Sequence, residues 1–382
     1  MSGTILICAG GTGGHVFPGI AVADALGSVS DVTCVFVGTG RGLEGRIVPE
    51  RGYRLELLPV SPMRGGGAVR AARGALSALR SLGAAVRILR RHRPAVVLSV
   101  GGYSAGPVSL AAALAGVPVA VLEPNAVPGF TNKLLAPFAR RAYVVWEDVF
   151  ARFGSRKSRM MGVPLRRGFS LRPYSAGASR RVLIVGGSLG AEALNERLPA
   201  ALGLLARGGL SFEIVHQTGK DREADVRARY DRAGISRVNV VPFLDDMAVE
   251  LARCDLVVAR AGAITVAEIA SVGRASLLVP FPFAADDHQT RNAELFASLG
   301  ACRALSQEAA TPARLASELS TLLEDGGLRE RMARAAALHG RPDAALVVAC
   351  DLIELGRLGL RTRKRSDSNG APAPYPKKDE VH

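Results

Sequence analysis

The chain has 382 residues, 48% of them apolar and 22% charged, and carries a net charge of +15 at neutral pH. That length supports two ordinary domains with proper cores, and the composition excludes a disordered chain. The positive charge asks for an anionic surface. With only 5% aromatics and no stacking or groove-reading motif, anionic membrane and phosphorylated ligands are expected as partners, and no nucleic acid. Five scattered cysteines with no CxxC pair read as reduced thiols in a cytoplasm, not as a disulfide framework or zinc site.

The first element sets the pattern. An apolar strand, Ile5–Ala9, runs into Gly10-Gly11-Thr12-Gly13-Gly14-His15, and Pro18 is expected to open a helix. Glycines admit a ligand close to the backbone, and a helix start offers unpaired amides with partial positive charge. This predicts a seat for an anion, most often a phosphate. Further strands are predicted at Val32–Val37, Leu55–Val60, Val96–Val100, Val117–Leu122 and Ala142–Val145, separated by helix-length segments. Such runs, apolar on both faces, imply a parallel sheet covered by helices on each side.

Between Glu56 and Glu123 there is no acidic residue. Arg64, Arg70, Arg73, Arg80, Arg87, Arg90, Arg91 and Arg93 accompany Val69, Leu76, Leu79, Leu82, Val86 and Leu89 at helical spacing. Either this is a basic amphipathic element held against anionic lipid, or an ordinary helix on the sheet with a solvated basic face. Residues 95–122 lack charge, but Gly101-Gly102, Pro107 and Pro118 divide them into strand, loop, helix and strand, so they read as buried core. No basic stretch precedes a hydrophobic one as in a secretory signal.

The pattern pauses at Gly162–Arg181, a turn-rich basic linker, and restarts with strands at Arg181–Val185, Phe212–Gln217, Val238–Pro242, Leu256–Ala259 and Ala275–Val279. Val182–Gly190 repeats the layout of the opening strand and glycine turn. The fold class is therefore α/β: two Rossmann-like domains facing each other across a cleft, ligands at the carboxyl edges of their sheets. The divisions are 1–163, 164–340, a final helix over 341–358 expected to pack back on the first domain, and a disordered basic tail over 359–382.

A dinucleotide dehydrogenase fits poorly. The first turn lacks the last glycine of GxGxxG, and no acid closes the second strand, which ends Val37-Gly38-Thr39-Gly40. In the second half, the strand Leu256–Ala259 feeds Arg260-Ala261-Gly262-Ala263-Ile264-Thr265-Val266-Ala267-Glu268. Its helix start suits a diphosphate and Glu268 suits two sugar hydroxyls, although Thr265 and Glu268 also match a capping pattern. Pro280 to Asn292, a polar cluster following a buried strand, reads as a sugar pocket, or more plainly as an acidic loop capped at Asp287.

Taken together, GGTGGHVFPGIAVADAL, GGYSAGP, EPNAVPGFTNKLL, VGGSLGAEALN, FLDDM, RAGAITVAEIA and the Pro280–Asn292 stretch resemble the MurG family, over roughly Thr4 to Gly356 and in order. The resemblance implies the glycosyltransferase B fold and inverting transfer of GlcNAc from UDP-GlcNAc to lipid I, undecaprenyl-diphospho-MurNAc-pentapeptide, to give lipid II in peptidoglycan synthesis. It further implies a peripheral enzyme at the cytoplasmic face of the bacterial plasma membrane. By that likeness Thr12, Gly13, Gly14 and Asn125 approach the donor from the first half, while Arg166 and Ser188 face its diphosphate. Leu244 meets uracil, Ala263, Ile264, Thr265, Val266, Ala267 and Glu268 hold phosphates and ribose, and His288 and Gln289 reach the GlcNAc hydroxyls. The first glycine loop and Gly101-Gly102-Tyr103 lie near the acceptor's diphosphate. Pro124 and Arg291 depart from residues common in that family.

The chemistry needs a base for the acceptor hydroxyl and a stabiliser for departing UDP. A helix amino terminus with Arg166 supplies the second, and no metal or cofactor is expected. His15 is the expected catalytic base, because imidazole titrates near working pH, with Glu123 the runner-up; His15 as a mere binder of diphosphate or hydroxyl stays open. The alternatives to transfer are a UDP-GlcNAc 2-epimerase-like isomerase, which shares plan and donor, and a non-catalytic membrane-docking partner of a transferase.

Overall fold

The structure is a computed structural model that describes residues 3–40, 42–59, 68–177, 180–187 and 190–360, without side chains over 68–79. Ser188, Arg64 and the 361–382 tail lie outside the described residues, as do the side chains of Arg70 and Arg73.

Two parallel sheets carry the chain. The first has β1 (Thr4–Ala9), β2 (Thr33–Gly38), β3 (Arg54–Leu57), β4 (Val96–Gly101), β5 (Val119–Glu123), β6 (Arg141–Val144) and β7 (Ser158–Met160), in the order β3-β2-β1-β4-β5-β6-β7. The second has β8 (Arg181–Val185), β9 (Glu213–Gln217), β10 (Val238–Val241), β11 (Leu256–Ala259), β12 (Ser276–Leu278) and β13 (Arg303–Ala304), in the order β10-β9-β8-β11-β12-β13. Each sheet reverses its winding beside its first strand, between β1 and β4 and between β8 and β11, where α/β sheets open a crevice at their carboxyl ends. Both glycine turns lie there. Apolar patterning did not mark β7 and β13, since short edge strands reading Ser-Arg-Met and Arg-Ala have no buried run to advertise them.

Central strands are buried on both faces: Ile5, Ile7 and Leu98 pack towards one helix layer, Leu6, Cys8 and Val97 towards the other. In the second half Val182, Ile184 and Val258 face one layer, and Leu183, Val185 and Val257 its opposite. The residues over 95–122 form β4, the helix Ala105–Leu114 and β5, all core. No helix among the described residues is long and apolar enough to cross a membrane.

Three local features depart from expectation or complete it. The first helix spans Gly13–Val29, so Pro18 sits inside it rather than opening it, and the amide it lacks would have bonded the Gly14 carbonyl. In the helix Ala68–His92, Ala85, Ile88 and Leu89 are buried against the sheet while Arg80, Arg87 and Arg90 point outward. The final helix, Ala344–Leu355, places Val348, Ala349, Leu352 and Ile353 in the core of the first sheet. Tyr143 donates to Asp351 at 2.6 Å and Arg141 pairs with the same carboxylate at 3.3 Å, tying the helix to β6.

Candidate active site

The first glycine turn is shaped by close approach. Gly11 adopts φ +95°, and a side chain at Gly102 (φ +86°) would strike the Gly10 carbonyl. At Gly101 a Cβ would come within 3.0 Å of the His15 ring. The glycine pair after β4 therefore exists to let the loop and His15 pack against the sheet end. Thr12 occupies the cap position of the Gly13–Val29 helix without capping it through its side chain, which leaves the first helical amides without a side-chain cap. His15 is half-buried at this helix start. Burial lowers its pKa below the usual 6.5, the Gly10 backbone opposes, and His288 from the second half adds to the depression.

Glu123, the runner-up base, has both carboxylate oxygens occupied by neighbouring donors. It is 2% exposed. One oxygen accepts from the Asn125 amide at 3.1 Å and Asn125 Nδ2 at 3.3 Å, the other from Gly129 at 2.8 Å and Asn132 Nδ2 at 3.0 Å. Burial raises its pKa, against those four donors. Such a carboxylate shapes the loop that carries Asn125.

In the second half, Gly187 and Gly190 adopt φ +81° and +77°, and a side chain at Gly190 would strike the Thr218 carbonyl. Asn195 donates to that carbonyl at 3.0 Å and holds His216 at 3.1 Å, whose other nitrogen meets Tyr230 at 2.9 Å. Burial drives His216 down to about 3, so it is a neutral brace under the turn.

Gly262, extended, caps the helix Ala263–Val272, so Thr265 and Glu268 lie inside it and the capping alternative fails. Its first residues, Ala263, Ile264 and Thr265, are half-buried at the cleft, while Val266 packs into the core beside partly buried Ala267. Burial pushes the Glu268 carboxyl up to about 7, with Arg166 pulling it down. Arg166 lies over the Phe169 ring at 5.8 Å. Leu244 is half-buried on the same core, and Asp246 beside it caps the Met247–Arg253 helix through the Val249 amide.

The loop after β12 is the most constrained part of the site. Asp286 and Asp287 have φ of +52° and +49°, a strained pair for non-glycine residues. Gln289 accepts from the Phe281 amide at 3.0 Å, leaving its NH2 as the free end, and His288 Nδ1 lies 2.7 Å from the Ala285 carbonyl. Arg260, which motif reading left without a role, donates to the Val279 and Pro280 carbonyls at 3.1 Å each and lies 5.5 Å over Phe281. Burial lowers its pKa to about 10.

The loop docks across the cleft. Asn292, fully buried, accepts from the Ala126 amide at 2.9 Å and donates to Asn125 at 3.3 Å and to the Ala261 carbonyl at 3.1 Å. Lys133 pairs with Asp286 and Arg291 with Asp148, both at 3.3 Å. Behind this contact lies a cavity of about 50 Å³ lined by Pro124, Trp146, Val163, Ala267 and Phe296. The departure at Pro124 therefore falls on packing between the halves, and that at Arg291 on an ion pair across the cleft. Sequence reasoning did not assign individual roles to Asn292 and Arg260, since their partners are groups distant in the chain.

Residues 5–144 match the glycosyltransferase family 28 N-terminal domain and residues 181–348 the family 28 C-terminal domain. A Sorangium cellulosum protein named UDP-N-acetylglucosamine–N-acetylmuramyl-(pentapeptide) pyrophosphoryl-undecaprenol N-acetylglucosamine transferase is 50% identical, covering 93% of this chain and 89% of its own. One of the same name from Myxococcus xanthus is 42% identical over 92% of each chain. The crystal structure of Acinetobacter baumannii MurG, 34% identical, superposes with a TM-score of 0.78 over 93% of this chain and 100% of that one. A UDP-GlcNAc 2-epimerase from Neisseria meningitidis, at 13% identity and TM-score 0.64, shares the fold alone.

Proposed function

The chain belongs to the family 28 glycosyltransferases, and from that premise we propose that it transfers GlcNAc from UDP-GlcNAc to the 4-hydroxyl of MurNAc in lipid I, with inversion, giving lipid II. The observation that carries the reading is the meeting of both halves at one cleft. Asn292, on the helix that follows the sugar loop, is bonded to Asn125 and Ala126, and His15 lies within electrostatic reach of His288.

The roles follow from the chemistry. UDP leaves with added negative charge, which the amides at the start of the Ala263–Val272 helix and the Arg166 guanidinium stabilise. Glu268 takes the ribose hydroxyls, Leu244 lies beside the uracil, and His288 with the free NH2 of Gln289 binds the sugar. His15, kept neutral by burial, removes the acceptor proton as the oxygen attacks the anomeric carbon. Glu123 orients Asn125. The outward arginines of the Ala68–His92 helix draw the protein to an anionic cytoplasmic membrane face, where a polyprenyl substrate resides. The epimerase alternative loses its ground, because its representatives share fold and not family.

The test is transfer of radiolabelled GlcNAc to a lipid I analogue by the intact protein, His15→Ala and Glu268→Ala. Intact transfer, lost through turnover in the first variant and through donor affinity in the second, supports the assignment. Epimerised sugar or hydrolysis without transfer overturns it. Undiminished transfer by His15→Ala removes only the base.

A further inference from the structure

The dinucleotide fingerprint places a carboxylate just after the second strand, reaching out to a ribose. Here β2 ends without one, yet an acid lies a short way on and turns inward. Glu44 begins the helix Glu44–Glu50 and is fully buried. Its Oε2 accepts from the Gly11 amide at 2.9 Å, and its Oε1 accepts from both the amide and the hydroxyl of Thr39 at 2.8 Å. The neighbouring Leu43 amide donates to the Gly11 carbonyl at 3.3 Å. Gly11 is thus gripped at both of its polar groups by one segment.

Three glycines make room for this carboxylate. A Cβ at Gly38 would lie 2.5 Å from the Glu44 side chain, one at Gly10 3.3 Å from its Oε1, and one at Gly42 would overlap it outright. The glycines flanking β1 and β2 are therefore spent partly on housing an internal anion, and not only on admitting an external one. A Gly-Gly turn at φ +95° has many alternative peptide orientations, and an anion that had to select one of them would lose affinity. The grip removes that choice before any ligand arrives.

We propose that Glu44 is a positioning residue of the acceptor side: its carboxylate clamps Gly11 so that the Gly13 and Gly14 amides at the helix start are preset towards an anion. This rests on the reading of the first glycine loop as the seat of the acceptor's diphosphate. A carboxylate is required, because Gly11 on one oxygen and Thr39 on the other both donate. An amide of the same shape turns a donor towards one of them.

Glu44→Gln tests the clamp. A buried donor left facing a donor costs about 10- to 100-fold, so kcat/KM for a lipid I analogue falls by that factor while the affinity for UDP alone, which the second half holds, stays within about twofold. Amide exchange across Gly10–His15 accelerates, while exchange around Gly186 and Gly190 stays at the intact rate. Unchanged acceptor kcat/KM in the folded variant, or an equal loss of affinity for UDP alone, overturns the proposal. Should Glu44→Gln fail to fold, Thr39→Val removes one donor and decides the matter: a selective rise in acceptor KM supports the clamp, no change overturns it. If the intact protein transfers no GlcNAc, the functional reading fails separately, and the clamp is judged on Gly10–His15 exchange in Glu44→Gln, where the intact rate overturns it.

Discussion

Glu268→Gln separates stability from function in the donor half. The carboxyl titrates at about 7 in the folded chain against 4.5 in a free side chain, because burial at the cleft disfavours its charge. Holding it ionised costs on the order of 3 kcal/mol at about 1.4 kcal/mol per pH unit with Arg166 already counted, which partial contact with solvent reduces to roughly 1–3 kcal/mol. The folded state keeps its proton to higher pH than the unfolded state. The penalty is therefore absent below 4.5, grows as pH rises towards 7, and is complete above about 7. Glutamine never ionises. At pH 8 the variant should melt higher by about 2–4 °C for each kcal/mol recovered, with the gain shrinking to nothing near pH 4.5. The same variant should bind UDP-GlcNAc roughly 10- to 100-fold more weakly, because a carboxylate makes stronger bonds to ribose hydroxyls than an amide. Scanning calorimetry from pH 4.5 to 8, with and without UDP-GlcNAc, reads both effects. A gain that does not vary with pH, or a lower melting temperature at pH 8, refutes the electrostatic argument; full donor affinity refutes the ribose role.

Other outcomes follow from the same geometry. The acid limb of kcat/KM should lie below the ordinary histidine value of 6.5, since the neutral form of His15 is active and burial favours it; His15→Ala should lower kcat by about 10²–10⁴-fold and abolish that limb. Asn292→Ala strands the Ala126 amide and should cost about 1–3 kcal/mol in a denaturant titration, along with transfer activity. Gly102→Ala should cripple transfer while leaving the binding of UDP alone intact by calorimetry, because it displaces the first glycine loop and not the second. Arg260→Met frees the Pro280 and Val279 carbonyls, so KM for UDP-GlcNAc should rise by roughly tenfold or more in steady-state assays.

Much of the plan is written in the chain itself. Apolar runs such as Leu183–Val185 and Val96–Val100 can only be strands covered on both faces, and the repeat of strand and glycine turn at Ile5 and Val182 implies two like halves. Glycine turns that enter helices are local features, so both candidate anion seats were legible. The tertiary structure decided what depends on groups distant in sequence. Pro18 was placed inside its helix because the amides begin at Gly13. Glu123 is held by donors from Asn125, Gly129 and Asn132, whose convergence no spacing rule reveals. Glu44 reads in the sequence as one acid among many, and only the fold shows three glycines standing aside for it. Asn292 and Asn125 are 167 residues apart and share a bond only because the halves close on each other. Short-range backbone preference and burial are encoded locally; which polar group satisfies which is settled only once the chain has folded.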